Sequence, residues 1–276
     1  MNLTKMAQKQ MTLAKTAQQH PEHRFTNLYS LLHWDYWMRC AADTVLARPG
    51  SSTAGVDGKT RDYFKNHYEE QIAALVESMK RKTYHPQPAK RVYIPKANST
   101  QQRPLGIPCL KDRVAQAVVK NALEPSWEAR FEANSYGFRP GRSCHDAIRQ
   151  CHNRLQKGTD TWIFDADIRG AFDHISHEFI LNRLRQTPGR ELIKQWLKAG
   201  YVEAEVFHET NSGTPQGGII SPLLANIALD GLDELLATFQ KEKKYLYIQL
   251  DGRQKVCRKR RNRYGFIRYA DDVRRS

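Results

Sequence analysis

Two adjacent aspartates, Asp271 and Asp272, most constrain what this sequence can fold into, because they directly follow a short apolar segment. The preceding residues 264–268 are typical of a β-strand, and the aspartates fall where that strand must turn. Neighbouring carboxylates repel each other and are costly to desolvate, which favours a cation between them. A plain hairpin turn would also suit them, since aspartate is a common turn residue. The pair alone leaves both interpretations open.

A third aspartate favours the interpretation of the pair as a cation site. Asp167 lies near the end of a predicted strand, 161–168, far upstream of Asp271. Two antiparallel strands lying side by side would bring Asp167 against Asp271 and Asp272. Oxygen ligands without nearby His or Cys suit Mg²⁺, and such a cluster can hold two ions about 4 Å apart. Asp165 and Asp173 are weaker candidates for the same site.

The charge balance indicates a polyanionic partner. The chain of 276 residues carries 44 Lys and Arg against 29 Asp and Glu, a net charge of +15. From Lys241 onward the sequence is strongly basic, and Arg258, Lys259, Arg260 and Arg261 lie among tyrosines. Mixed charge and aromatic surface suit a phosphate backbone with unpaired bases. A solubilising loop between two strands is the alternative.

Several protein classes are excluded by composition. No apolar run approaches the roughly 18 residues of a membrane span, and the N-terminus has no secretory apolar region. Five cysteines without a C-x-x-C pair argue against a disulfide framework or a structural zinc site. We therefore expect a reducing compartment, cytoplasmic or organellar. A P-loop is rejected because Val56 stands where that motif needs lysine.

Strands and helices are mixed without regular βαβ alternation, which predicts an α+β fold. Helices are predicted at 60–82, 112–124, 143–156, 176–186, 190–199 and from 221 onward, and strands at 91–95, 161–168, 201–208 and 264–268. Asp112 is expected to cap its helix and Pro125 to end it. Ser143 is expected to cap the next helix. A buried stripe is predicted at Leu224, Ile227, Leu232 and Leu235.

Three motifs in fixed order carry a family resemblance: Phe-Asp-Ala-Asp-Ile-Arg-Gly-Ala-Phe-Asp at 164–173, Gly-Thr-Pro-Gln-Gly-Gly-Ile-Ile-Ser-Pro at 213–222 and Tyr-Ala-Asp-Asp at 269–272. The order resembles reverse transcriptases, and more closely group II intron-encoded reverse transcriptase/maturase proteins. Four further segments support it, at 53–58, 91–96, 103–108 and 135–140. The resemblance runs from about Phe25 to Asp272, nearly the whole chain.

The resemblance implies a right-hand polymerase architecture of fingers and palm, with an antiparallel palm sheet packed on helices and no thumb. Residues 1–52 would form a helical N-terminal extension, 53–160 the fingers, and 161–276 the palm. A basic insertion is expected near 241–263. The chain stops four residues after Asp272, inside the expected catalytic hairpin. A return strand of Val273 followed by two arginines is expected to be too short to pair, so that the turn lacks one wall.

The resemblance also implies roles for matching residues. Asp167, Asp271 and Asp272 would be catalytic, and with the carbonyl of Ile168 they would hold two Mg²⁺ ions, with Mn²⁺ as an alternative. The residues expected to bind the incoming dNTP are Lys96, Arg103, Phe172 and Gln216. Phe172 would exclude a 2′-hydroxyl, although without the resemblance it would be taken as core packing. Likewise, Lys96 and Arg103 would be taken as part of a solvated basic hairpin.

The implied function is RNA-directed DNA polymerisation, in which dNTPs are added to a primer 3′-hydroxyl on an RNA template by two-metal catalysis. The expected partners are an RNA template, intron RNA bound for splicing and mobility, a DNA primer and dNTPs, with no membrane. Two alternatives stay open: a non-catalytic RNA-binding splicing cofactor, and the remnant of a decayed mobile element. We expect a fragment or truncated gene product with little or no activity alone.

Overall fold

The computed structural model describes residues 4–23, 25–95, 100–156, 163–214, 217–238, 243–248, 254–259 and 266–275. The chain divides into two compact units. The first is Met1–Phe131 with Gly170–Ala228, and the second is Glu132–Arg169 with Leu229–Ser276. Four residues predicted to bind nucleotide or nucleic acid lie outside the described residues: Lys96, Gln216, Arg260 and Arg261.

Helices and strands are interspersed along the described chain. The helices are α1 (Lys5–Gln19), α2 (Tyr29–Leu32), α3 (Asp35–Leu46), α4 (Arg61–Asn66), α5 (Tyr68–Lys80), α6 (Leu110–Glu128), α7 (Cys144–Leu155), α8 (Ala171–His174), α9 (His177–Leu184), α10 (Arg190–Leu197), α11 (Ser221–Leu229) and α12 (Leu232–Thr238). The strands are β1 (Ala89–Pro95), β2 (Gln102–Ile107), β3 (Phe164–Asp167), β4 (Tyr201–Glu203), β5 (Val206–His208), β6 (Lys243–Ile248), β7 (Gln254–Lys259), β8 (Phe266–Tyr269) and β9 (Asp272–Arg275). This mixture confirms the predicted α+β class. Within the described ranges, no helix has the length and apolar composition that crossing a bilayer requires.

Helix α6 forms the centre of the first unit's core, with α1 and α3 packed on it. Trp37 of α3 is fully buried, and its indole Nε1 donates to the carbonyl of Val118 at 3.1 Å. A buried indole N–H needs such a partner, so this bond fixes α3 against the middle of α6.

The prediction that Pro125 ends its helix is wrong, because α6 continues to Glu128. Proline lacks the N–H that would bond the carbonyl four residues earlier, here that of Asn121. The side-chain amide of Gln10 in α1 donates to that carbonyl at 3.1 Å. A neighbouring helix thus satisfies the acceptor that the proline leaves open, so the helix tolerates Pro125.

Two predicted elements are each divided in the structure. The helix predicted at 60–82 is broken at His67 into α4 and α5, although its stripe is buried as expected at Phe64, Ile72, Leu75 and Met79. The strand predicted at 201–208 is the hairpin β4–β5. Its turn residues Ala204 and Glu205 have φ of 46° and 68°, the left-handed pair that favours a tight two-residue hairpin. These strands extend a sheet of order β2-β1-β4-β5, in which β1 and β4 are parallel.

The buried stripe predicted from residue 221 onward is only half correct. Ser221 begins α11 as expected, and Leu224 and Ile227 are buried. Gly231, with φ of 90°, lies between α11 and α12. Leu232 is only partly buried and Leu235 is 55% exposed, since the helical periodicity that predicted the stripe is interrupted at Gly231.

The second unit contains a three-stranded antiparallel sheet of order β3-β9-β8. The expectation that the return strand cannot pair is wrong, because β9 is the central strand. It begins at Asp272 itself, so four residues pair on both sides. Backbone hydrogen bonds do not depend on side-chain polarity, and the arginines at 274 and 275 therefore do not prevent the pairing. Val273, which precedes these arginines in β9, is buried.

Asp112 does not cap α6 as predicted. Cys109 is the N-cap residue, and Asp112 is the third residue of the helix, 1% exposed. Its carboxylate accepts from the Tyr84 hydroxyl at 2.5 Å and from the backbone N–H of Gln87 at 3.2 Å. Burial raises the pKa of this carboxyl to about 6, against the lowering effect of those two hydrogen bonds.

The raised pKa of Asp112 predicts a pH-dependent stability. Between about pH 4 and pH 6 the folded state holds a proton that the unfolded chain releases, so the free energy of unfolding falls as pH rises. Asp112→Asn removes this fall. The wild-type free energy of unfolding minus that of the variant should therefore fall by about 2 to 3 kcal/mol from pH 4 to pH 7, measured by urea unfolding. Asp62→Asn, whose side chain is 82% exposed, is the control; a constant difference for Asp112→Asn contradicts the prediction.

Candidate functional site

The sheet of the second unit places the three predicted metal-binding aspartates at one end. Asp167, the last residue of β3, lies directly opposite Asp272, the first residue of β9. Asp271 lies in the turn between β8 and β9, and its carbonyl accepts from the N–H of Ile168 at 3.2 Å. The antiparallel approach was expected, but the return strand β9, rather than β8, lies beside β3.

A cavity of about 630 Å³ opens beside two of these aspartates. Its lining combines carboxylates with one face of α7: Cys144, Ala147, Ile148, Cys151, Asp165, Ala166, Asp167, Ile267, Tyr269 and Asp272. The α7 residues recur at positions i, i+3, i+4 and i+7, so the helical period could have indicated a shared face, although not what it faces. Ser143 caps α7 as predicted, through a capping box with Asp146.

The donor set has the chemistry of a hard divalent cation site, since it offers carboxylate and carbonyl oxygens. Asp167 and Asp272 are exposed and Asp271 is half-buried. Within the described part of the chain, no three His, Cys, Asp or Glu side chains converge closely enough to share one ion. Binding would therefore need the carboxylates to change rotamer toward a common point. The residues fit such an ion in chemistry and in backbone placement.

The described residues among the predicted dNTP-binding set, Arg103 and Phe172, belong to the first unit. Arg103 is exposed on β2, opposite Ile94 of β1. Phe172 is half-buried in α8, and its carbonyl accepts from the N–H of Thr214 at 2.6 Å. Gly213, with φ of 81°, precedes Thr214 and lies so close that a Cβ there would be 2.6 Å from the Phe172 carbonyl oxygen. Backbone contacts therefore hold the 213–214 loop on α8.

The predicted nucleic-acid-binding residues are only partly described. Arg258 and Lys259 lie in β7, which pairs antiparallel with β6. Their backbones face Lys244 and Lys243 across the hairpin. The basic segment therefore includes a two-stranded hairpin, and its binding role stays a prediction.

Known proteins resemble this chain along most of its length. The family model for "Reverse transcriptase (RNA-dependent DNA polymerase)" matches residues 94–274. The group II intron-encoded protein LtrA of Lactococcus lactis subsp. cremoris is 40% identical over 228 residues, covering 81% of this chain and 37% of that protein. Protein YkfC of Escherichia coli K12 is 37% identical over 238 residues, covering 84% and 62%. The chain thus spans less than two thirds of either relative.

A solved structure shares the fold. A partial Cas6-RT-Cas1–Cas2 complex contains a chain that aligns with a TM-score of 0.51 and 23% sequence identity, covering 90% of this chain and 38% of that one. At that identity the likeness concerns the fold alone.

The crowding at Gly213 predicts a graded series of stability changes. Gly213→Ala combines a left-handed backbone with a clash and should lower the free energy of unfolding by about 3 kcal/mol. Gly58→Ala, with φ of 69° and open space around it, should cost about 1 kcal/mol. Gly50→Ala has open space and no left-handed φ, so it should be near neutral. Urea unfolding measures the series; equal costs at positions 213 and 58 would show that the loop is not held on α8.

Proposed function

The chain belongs to the reverse transcriptase family, among group II intron-encoded proteins, and on that premise we propose that it supplies the active site of an RNA-directed DNA polymerase. Its reaction adds dNTPs to a primer 3′-hydroxyl on an RNA template. The observation that carries the proposal is the pairing of Asp167 with Asp272 beside the turn that contains Asp271. We expect the reaction to take place in a bacterial cytoplasm or an organelle.

Asp167, Asp271 and Asp272, with the carbonyl of Ile168, would hold Mg²⁺ or Mn²⁺. Bound there, such ions would supply activation of the attacking hydroxyl and stabilisation of the charge on the leaving pyrophosphate. The protein's own contribution would be placement: strand pairing fixes the backbone of Asp167 and Asp272, and side-chain rotation would bring the carboxylates together. Because the two carboxylates are solvent-exposed, substrate phosphates can reach the same point.

Nucleotide recognition is proposed for the first unit. Arg103 presents a planar guanidinium suited to bidentate phosphate contacts, and Lys96 would add a point charge. Phe172 would lie under the incoming sugar and disfavour a 2′-hydroxyl, and Gln216 would lie beside the nascent base pair. The exposure of Arg103 on β2 supports its part of this proposal.

The nucleic-acid partners are proposed to be an RNA template, intron RNA and a DNA primer. The net charge of +15 supports a polyanion. The same charge, with no three described carboxylates converging, also favours a second candidate function, a non-catalytic RNA-binding splicing cofactor.

Metal binding tests the polymerase proposal without requiring activity. Mn²⁺ titration followed by electron paramagnetic resonance should show binding that Asp167→Asn or Asp272→Asn weakens by about tenfold or more. The control Asp62→Asn should bind like the wild type. Asp167→Asn and Asp272→Asn should also lower single-nucleotide incorporation on a primed RNA template. We expect this incorporation to be weak even in the wild-type chain. Equal Mn²⁺ affinity in all four proteins contradicts the proposed site.

Salt-dependent RNA binding tests the basic segment. Replacing Arg258, Arg260 and Arg261 with alanine should reduce the slope of log affinity against log salt by about 2 to 3. The matched control replaces three lysines of α1 with alanine: Lys5, Lys9 and Lys15. Equal slopes in both triple variants would show that the segment is only a solubilising hairpin. RNA binding without Mn²⁺ binding or incorporation would favour the cofactor over the polymerase.

A further inference from the structure

A fully buried arginine lies next to the aspartate turn. Arg268 is the third residue of β8 and is 0% exposed. Its Nη1 donates to the carbonyl of Ala270 at 3.2 Å, and its Nη2 lies 3.8 Å from Oε2 of Glu132. Burial lowers the pKa of the guanidinium, and the nearby Glu132 and Asp230 oppose that effect. Desolvating a guanidinium costs several kcal/mol, so its position needs a reason.

Glu132 connects this arginine to the start of α12. Its side chain is 11% exposed, and Oε1 accepts from the N–H of Gly231 at 2.9 Å and of Asp233 at 2.8 Å. The other oxygen faces Arg268. One carboxylate therefore fixes both the entry to α12 and the guanidinium behind the turn.

The backbone of 134–137 supports the same turn. The N–H of Arg268 donates to the carbonyl of Asn134, and the carbonyl of Arg268 accepts from the N–H of Tyr136, each at 2.9 Å. A Cβ on Gly137 would lie 2.2 Å from the backbone nitrogen of Ala270. Ala270 itself has φ of 58°, a conformation that costs a non-glycine residue about 1 kcal/mol or more and persists only where its surroundings enforce it.

We propose that Arg268 and Glu132 are positioning residues, which hold the carbonyl of Ala270 and thereby fix the backbone of Asp271 and Asp272 for metal binding. The proposal rests on the proposed function. A well-packed apolar residue in place of a buried ion pair is often equally stable, so stability alone does not account for the pair. The rigid fork of arginine can reach a carbonyl and a carboxylate at once, whereas lysine offers a single point charge.

The test compares Arg268→Met, Arg268→Lys and Glu132→Gln with the wild type. Arg268→Met should weaken Mn²⁺ binding by about tenfold. It should also speed amide hydrogen exchange in a peptide covering 266–275 by about tenfold, because the turn loses its clamp while the strand pairs remain. Exchange in a peptide covering α6 should not change. Arg268→Lys should retain part of the Mn²⁺ affinity, and part of the exchange protection of 266–275, that Arg268→Met loses.

The matched control is Arg113→Met. Arg113 is a buried arginine of the first unit that donates to the carbonyls of Pro108, Gly50 and Thr53. This variant should lose stability yet keep the Mn²⁺ affinity and the exchange rate of 266–275. The proposal is overturned if Arg268→Met behaves like Arg113→Met, or if exchange rises equally in both peptides.

Glu132→Gln separates positioning from folding. Glutamine keeps an oxygen for the N–H groups of Gly231 and Asp233 but removes the Glu132 charge that faces Arg268. If Arg268→Met does not fold, the double variant Glu132→Gln/Arg268→Met should restore stability while Mn²⁺ affinity stays low; recovery of both contradicts the proposal. Should the wild type and Asp272→Asn bind Mn²⁺ equally, the metal site fails, and the exchange of 266–275 still decides whether the pair fixes the turn.

Discussion

Strand β9 is hydrogen-bonded on both sides, to β3 and to β8, and this ladder decides where the aspartates lie. Because opposite residues in antiparallel strands have Cα atoms about 4.5 to 5.5 Å apart, the register alone brings Asp167 beside Asp272. A shift of one residue would turn one of the two carboxylates to the other face of the sheet. The proposed metal site therefore depends on register before it depends on side chains.

Electrostatics works against this arrangement in the absence of a cation. Three aspartates lie at one end of a small sheet. The buried guanidinium of Arg268 lies next to their turn but contacts the carbonyl of Ala270 and the carboxylate of Glu132. The backbone brings the aspartates to one end of the sheet, and their charges would repel one another if the side chains converged without a cation. The proposed cation site would depend on a turn that cannot relax away from it. The buried ion pair and the close approach of Gly137 to Ala270 limit that relaxation.

Sequence patterns predicted the elements that depend on local periodicity and failed where a distant residue intervenes. The capping box at Ser143 and the stripe through Ile72 follow from spacing along one helix, and both are present. Pro125 remains helical because of Gln10, more than a hundred residues away, which no local rule contains. The pairing of β9 was missed because strand prediction weighs side-chain polarity, whereas two neighbouring strands satisfy this backbone regardless of its arginines. The approach of Asp167 to Asp272 follows from carboxylates that end two apolar segments, whereas cation binding there stays a prediction.

The segment 135–140 illustrates how a family motif acquires a physical meaning. In the sequence it supports a resemblance and has no assigned chemistry. In the structure, its residue Gly137 must lack a side chain, since a Cβ would overlap the backbone nitrogen of Ala270. The backbone N–H of Tyr136 donates to the carbonyl of Arg268 in β8, and Ser135 pairs with Arg268 in a parallel bridge. Two motifs separated by about half the chain are thus in backbone contact. A change in either is expected to alter the backbone positions of Asp271 and Asp272.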